Sequence, residues 1–277
     1  MRLGVRAHDF GKLPVEELAR RIAGKGFSCV QLAPPTAIAG FDTDQGRLSP
    51  GFAGHVKEAF QRQHLQIAVL GCYINLADPD AGQRQQQLAR FKEYLRLARD
   101  FGCSVVGTET GSINPDFSFH PGNRGEEAFQ TVLGGVRELV AEAEKFGVFV
   151  GIEGVERYVI SDPPRIRRLI DGIGSNNLQI IFDPVNLLSV ENYRRQEDII
   201  KESFELFGDR IAILHAKDFI VEGRSLRSVL AGQGRLNYGL LMDLIKDRKP
   251  DINILMEDTQ PETVETGVRF LRGYFPV

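Results

Sequence analysis

Two patterns alternate along the chain from end to end. Short apolar runs rich in β-branched residues occupy 3–7, 27–32, 66–71, 104–108, 148–152, 178–182, 210–214 and 253–256. Between and after them lie longer stretches with apolar residues at helical spacing: 14–24, 51–63, 84–101, 126–146, 164–173, 193–207, 238–246 and 262–273. The short runs are bounded by Gly, Asn, Asp or Pro, as strands are. In 84–101, Leu88, Phe91, Leu95 and Ala98 fall on one helical face, and in 126–146 so do Val132, Val136, Leu139 and Ala143. Gly102, Gly147 and Gly208 each stand between a periodic stretch and the next short run, where a helix terminator belongs.

The pattern predicts eight strand–helix units. Repeated βαβ units imply parallel strands with right-handed crossovers, and eight of them close into an α/β (β/α)8 TIM barrel. No GxGxxG follows the first run, which argues against a dinucleotide-binding sheet. With no low-complexity linker, a single domain is expected over residues 1–277. Two long connections, 33–50 and 110–124, follow strands and are expected at the C-terminal face as lids or substrate walls.

Composition narrows the field. A chain of 277 residues that is 42% hydrophobic can bury a large core without disulfides. Its 34 basic and 37 acidic residues give a net charge of −3, so no electrostatic case exists for nucleic acid or an anionic membrane as a partner. No apolar signal segment opens the chain and no run of about 18 apolar residues follows, so a soluble cytoplasmic protein is expected. Cys29, Cys72 and Cys103 are odd in number and far apart, as reduced thiols are, and Cys29 and Cys103 fall in apolar runs as core.

The chemistry gathers at the ends of the short runs. The first ends at His8, the third in Cys72-Tyr73-Ile74-Asn75, the fourth at Glu109, the fifth at Glu153 with Glu156 behind it, the sixth at Asp183, the seventh at His215 followed by Lys217-Asp218, and the eighth at Glu257-Asp258. Four consecutive strands thus deliver Glu153, Asp183, His215 and Glu257 to the face where TIM barrels do their chemistry. Unneutralised carboxylates so close repel one another and take up protons, and one divalent cation resolves the conflict. Three carboxylates and an imidazole suit Mn²⁺ or Mg²⁺, and also Co²⁺ or Zn²⁺. His8, Asn75, Glu109, Asn186 and Lys217 are candidates to bind substrate; Arg165, Arg167 and Arg168 form a basic helix start.

The segments Ile152-Glu153, Ile181-Phe182-Asp183-Pro184-Val185-Asn186, Leu214-His215-Ala216-Lys217-Asp218 and Leu255-Met256-Glu257, with Gly232-Gln233-Gly234 between the last two, resemble the xylose isomerase-like TIM barrels, the sugar phosphate isomerase/epimerase superfamily. The resemblance implies that Glu153, Asp183, His215 and Glu257 bind one divalent metal and that Glu153 and Glu257 form a proton-transfer pair. It also implies a small sugar substrate, and a homodimer or homotetramer. Asn186 stands where many ketose 3-epimerase-like members have a His, and no Arg follows His215 until Arg224.

The reading is a metal-dependent isomerase or epimerase that works through an enediolate. The same enolisation in a metal-dependent dehydratase of a keto-inositol or keto-sugar is the alternative, and a non-catalytic sugar-binding barrel is a remote one. A DNA-repair endonuclease of the superfamily would need a His-rich zinc cluster, whereas this chain has five His, of which only His8 and His215 fall at strand ends. With no Trp, stacking on a sugar falls to Phe10, Phe41, Tyr73 or Phe117.

Overall fold

The computed structural model describes residues 1–275. Eight parallel strands close into a barrel: β1 (Arg2–Arg6), β2 (Cys29–Leu32), β3 (Gln66–Gly71), β4 (Val105–Glu109), β5 (Phe149–Glu153), β6 (Leu178–Phe182), β7 (Ile211–Ala216) and, last in the chain, β10 (Asn253–Met256). Around it lie α1 (Val15–Ala23), α2 (Pro34–Ala37), α3 (Pro50–Arg62), α4 (Ala81–Leu97), α5 (Glu126–Phe146), α6 (Pro163–Ile173), α7 (Gln196–Phe207), α8 (Tyr238–Arg248) and α9 (Val264–Arg272). Between β7 and α8 the chain inserts an antiparallel hairpin, β8 (Asp218–Glu222) and β9 (Ser225–Val229), which the strand–helix alternation did not predict.

Local chemistry sets the boundaries. Helix α4 begins before residue 84 because Asp80 caps it, accepting from the Gln83 N–H at 2.9 Å. Asp162 caps α6 in the same way through the Arg165 N–H. Gly102 (φ 72°) and Gly147 (φ 61°) adopt the left-handed backbone expected of terminators. Gly208 does not: at φ −57° it carries the chain from α7 straight into a 3-10 turn, Gly208–Arg210.

Two layers fill the barrel. The lower is an apolar plug of Cys29, Ala68, Val69, Val105, Ile181, Ile213 and Leu255. Glycines make room for it: a Cβ at Gly107 would lie 2.6 Å from Ile181 Cδ1, and one at Gly151 would lie 3.0 Å from the same atom. Side chains two residues apart on a strand share a face. The residues two positions beyond the plug and its glycines are therefore the next inward layer: Arg6 above Gly4, Gln31 above Cys29, Gly71 above Val69, Glu109 above Gly107, Glu153 above Gly151, Asp183 above Ile181, His215 above Ile213 and Glu257 above Leu255. The strand period alone converts a dry floor into a ring of polar groups.

Candidate metal centre

Glu153, Asp183, His215 and Glu257 are all buried, and one potential ligand atom from each lies within 4.8 Å of the others. His215 Nδ1 is 3.3 Å from Glu153 Oε1, 3.3 Å from Glu257 Oε1 and 4.0 Å from Asp183 Oδ2. Ligand bonds of about 2.0–2.2 Å put neighbouring donors around one small ion roughly 3–4.4 Å apart, so these separations fit a single divalent cation.

The individual donors are prepared for it. Asp183 Oδ1 accepts from the N–H groups of Val185 and Asn186 at 2.9 and 3.1 Å, which fixes the carboxylate and leaves Oδ2 buried without a hydrogen bond. Lys217 Nζ forms an ion pair with that oxygen at 2.9 Å and with Glu257 Oε2 at 2.9 Å. Asn186 donates to Glu153 Oε1 at 2.6 Å. Arg6 is shared among Asp9 (2.8 Å), Asp258 (3.0 Å) and Glu257 (3.6 Å). Three carboxylates against the Lys217 ammonium leave two negative charges, the charge of one divalent ion.

The electrostatics say the same. Burial pushes the Asp183 carboxyl up to about 6, against the pull of Lys217. Burial pulls the His215 ring down, but Glu257, Glu153 and Asp183 outweigh it and raise it to about 9. Burial also works against ionised Glu257, yet His215, Lys217 and Arg6 hold it well below the usual carboxylate range. Such a cluster holds excess protons that a metal ion would displace.

The layer opens into a cavity of about 490 Å³ lined by the carboxylates of Glu153 and Glu257, with Glu109, Lys217, His8 and Asn186 among the other lining residues. Burial, reinforced by Glu153 and Glu257, pushes Glu109 up to about 7. Burial and then Arg6 push the His8 imidazole down. Asn75 is elsewhere. Its Nδ2 donates to the Ser112 carbonyl and its Oδ1 accepts from the Ser112 and Ala77 N–H groups, so it pins the loops after β3 and β4 and does not line the cavity.

Neither long connection contributes a lining residue. The segment after β4 folds upon itself through Ser112, Asn114 and Asn123. The walls come instead from Val155, Glu156 and Arg157 after β5, from Val185 and Leu188 after β6, and from Leu226 and Ser228 of the β8–β9 hairpin. Asp218 holds that hairpin in place by accepting from the N–H groups of Phe219, Gly232 and Leu236. The Gly232-Gln233-Gly234 segment needs its glycines there: a Cβ on Gly234 would lie 2.3 Å from Asp218 Oδ1, and Gly232 has φ 85°. Of the aromatic candidates only Tyr73 reaches the cavity; Phe10 is buried against Phe27, and Phe41 packs on Phe52. Glu156 is bound to Arg124 at the rim. The basic helix start is consumed by Asp171, Glu126 and backbone carbonyls.

Sequence reasoning missed Arg6, Gln31 and the part Tyr73 plays. Gln31, 2% exposed, accepts from His215 Nε2 at 2.8 Å and donates to Tyr73 Oη at 2.6 Å. Its signal was present: one polar residue inside an apolar run.

A family model described as xylose isomerase-like TIM barrel matches residues 9–274. Among solved structures, a D-tagatose 3-epimerase-like protein superposes with TM-score 0.78 at 19% identity, covering 99% of this chain and 97% of that one. An IOLI protein with a bound zinc atom gives TM-score 0.75 at 15% identity, covering 99% and 96%. The probable 3-DHS dehydratase AsbF of Bacillus anthracis, involved in petrobactin synthesis, gives 0.75 at 13%, covering 98% and 99%. No curated protein sequence matches the chain significantly. At these identities the structural likeness speaks for the fold alone.

Proposed function

The chain belongs to the xylose isomerase-like TIM-barrel family, and on that premise we propose that it is a divalent-metal-dependent isomerase or epimerase of a small sugar. The observation that carries the reading is the convergence of four buried donors, three carboxylates and one imidazole, on one point. Glu153, Asp183, His215 and Glu257 would hold the ion. Bound there, it would supply Lewis acidity, drawing charge from a carbonyl and its neighbouring hydroxyl and so acidifying the C–H between them.

The protein's own groups do the rest. Glu153 and Glu257 enter the cavity from β5 and from the end of β10, strands separated in the barrel by β6 and β7. One carboxylate takes the proton and the other returns one: to the opposite face in epimerisation, to the adjacent carbon in isomerisation. Lys217 beside Glu257 and Asp183 offsets negative charge that develops on substrate oxygen. Val155, Val185, Leu188 and Leu226 supply the apolar part of the cavity wall. Asn186 keeps Glu153 oriented.

A second reading, dehydration of a keto-sugar or keto-inositol, is favoured by one observation. Glu109 lines the cavity beside Glu153 and is outside the candidate metal-binding set, so its carboxyl is placed to give a proton to a leaving hydroxyl and release it as water.

The test is elemental analysis of protein purified without chelator, wild type against Glu153→Gln/Asp183→Asn, followed by a screen of ketoses and keto-inositols. About one equivalent of Mn, Mg, Co or Zn in wild type, lost in the double variant, is the expected result. A wild-type protein that takes up no metal even on reconstitution overturns the proposal.

A further inference from the structure

The strongest unexplained feature is a hydrogen-bonded chain on the side of the barrel opposite the ligand carboxylates. Gln31 is a polar side chain, 2% exposed, in a strand otherwise made of Cys29, Val30 and Leu32. The ladder between β2 and β3 shifts register between Val30 and Gln31, the kind of irregularity that re-aims a side chain next to a site. From there Gln31 touches only two side chains by hydrogen bond, His215 and Tyr73.

The donors and acceptors along this chain leave one consistent wiring, which rests on the metal reading above. With His215 Nδ1 as ligand atom, Nε2 carries the ring's only proton. It donates to Gln31 Oε1. The amide is then oriented, and its Nε2–H donates to Tyr73 Oη. Tyr73 must accept from Gln31, so its own O–H has no role within the chain. That phenol belongs to a residue lining the cavity, and among the described residues it makes no other hydrogen bond.

We propose that Gln31 is a positioning residue that locks His215 in its ligating tautomer, and that the same lock turns the Tyr73 hydroxyl proton into the cavity as a fixed donor to a carbonyl or hydroxyl oxygen of the substrate. Gln does this where Glu cannot. A Glu at 31 still accepts from His215 Nε2–H, but it also accepts from Tyr73 and so draws the phenol proton inward.

The test compares wild type, Q31L, Q31E and Y73F by calorimetric titration with Mn²⁺ alone and by NMR of protein labelled with ¹⁵N-histidine and ¹³Cζ-tyrosine. Q31L should weaken Mn²⁺ binding about 10- to 100-fold, the usual effect of removing a partner of a ligating His. Q31E and Y73F should stay within about threefold of wild type. The His215 Nε2 signal should remain protonated in wild type and Q31E, while the Tyr73 Cζ signal should shift in Q31E as the phenol turns to donate inward. With whichever ketose wild type turns over, Y73F and Q31E should each raise KM about tenfold, and the double variant should be no worse than either. Unchanged Mn²⁺ affinity in Q31L, a Tyr73 signal indifferent to Q31E, or additive effects in the double variant would overturn the proposal. If wild type binds no Mn²⁺, the functional reading fails separately, and the Tyr73 signal in Q31E still decides which way the phenol proton points.

Discussion

The two halves of the polar ring differ in kind. On β5, β6, β7 and at the end of β10 the inward residues are Glu153, Asp183, His215 and Glu257, all buried and converging on one point. On β1 to β4 they are Arg6, Gln31, Gly71 and Glu109, which line, brace or leave room. Strand geometry is the same in both halves, and the same apolar plug lies beneath. Charge makes the difference. One half concentrates carboxylates into a cluster that could hold a cation; the other supplies a guanidinium, an amide relay and one carboxyl beside that cluster but outside it. A barrel mouth can thus be divided into a half that creates electrostatic demand and a half that orients what meets it.

The sharpest way to break this division is to neutralise one carboxylate from each half. Glu257→Gln should lower kcat by about 10³-fold or more, since it removes a proton-transfer group. Glu109→Gln should cost roughly tenfold if the enzyme epimerises or isomerises. Steady-state kinetics on the two variants decides: equal, abolishing losses would erase the distinction between the halves and point to elimination of water with Glu109 as the acid.

The next effect concerns protons. A metal ion must displace the proton that His215 holds up to about 9 and, in more acid solution, the one that Asp183 holds up to about 6. Mn²⁺ affinity should therefore rise with pH, by about tenfold per pH unit between 6 and 9 and more steeply below 6. In the metal-free protein the sign for Asp183 is opposite. Its folded pKa lies above the unfolded value of about 3.9, so between about 4 and 6 the folded state holds more of this group's proton and its contribution to stability falls as pH rises, most visibly above about 5, where the opposing contribution of the depressed Glu257 has levelled off. Titrations of Mn²⁺ binding across pH check the first expectation; denaturant melts with chelator check the second. An affinity flat from pH 6 to 9 would mean that His215 is not a ligand.

The smallest effect is expected at Asn75, which belongs to neither half. Asn75→Ala strands the N–H groups of Ser112 and Ala77 and should cost about 1–3 kcal/mol of stability in denaturant melts. KM and kcat should change by less than about threefold, because the side chain does not line the cavity. A large rise in KM with unchanged stability would return Asn75 to the substrate site.

Much of the molecule was legible in the sequence for a physical reason: strands and helices bury their apolar faces at different periods, so eight alternations announce the barrel, and Glu153, Asp183, His215 and Glu257 each follow a short apolar run directly. The β8–β9 hairpin was also written there, in the apolar run Phe219-Ile220-Val221, the turn residue Gly223 and the return through Leu226 and Val229, but a short half-exposed pair is a weak signal beside the larger rhythm. The long connections misled because length says nothing about which way a loop folds. The one after β4 satisfies its own polar groups through Ser112, Asn114 and Asn123, and so turns away from the cavity.

The sequence by itself determined the architecture and the four residues, Glu153, Asp183, His215 and Glu257, that converge as a candidate metal centre, because those follow from periodicity and from residue types at strand ends. Only the tertiary structure decided that His215 meets Gln31, 184 positions away in the chain, that Gln31 meets Tyr73, that Arg6 closes on Glu257 and Asp258, and that Asn75 serves the scaffold. Hydrogen bonds and ion pairs are short-ranged and directional, so which groups satisfy one another is fixed only when the barrel closes and brings β1 and β2 round to β10 and β7.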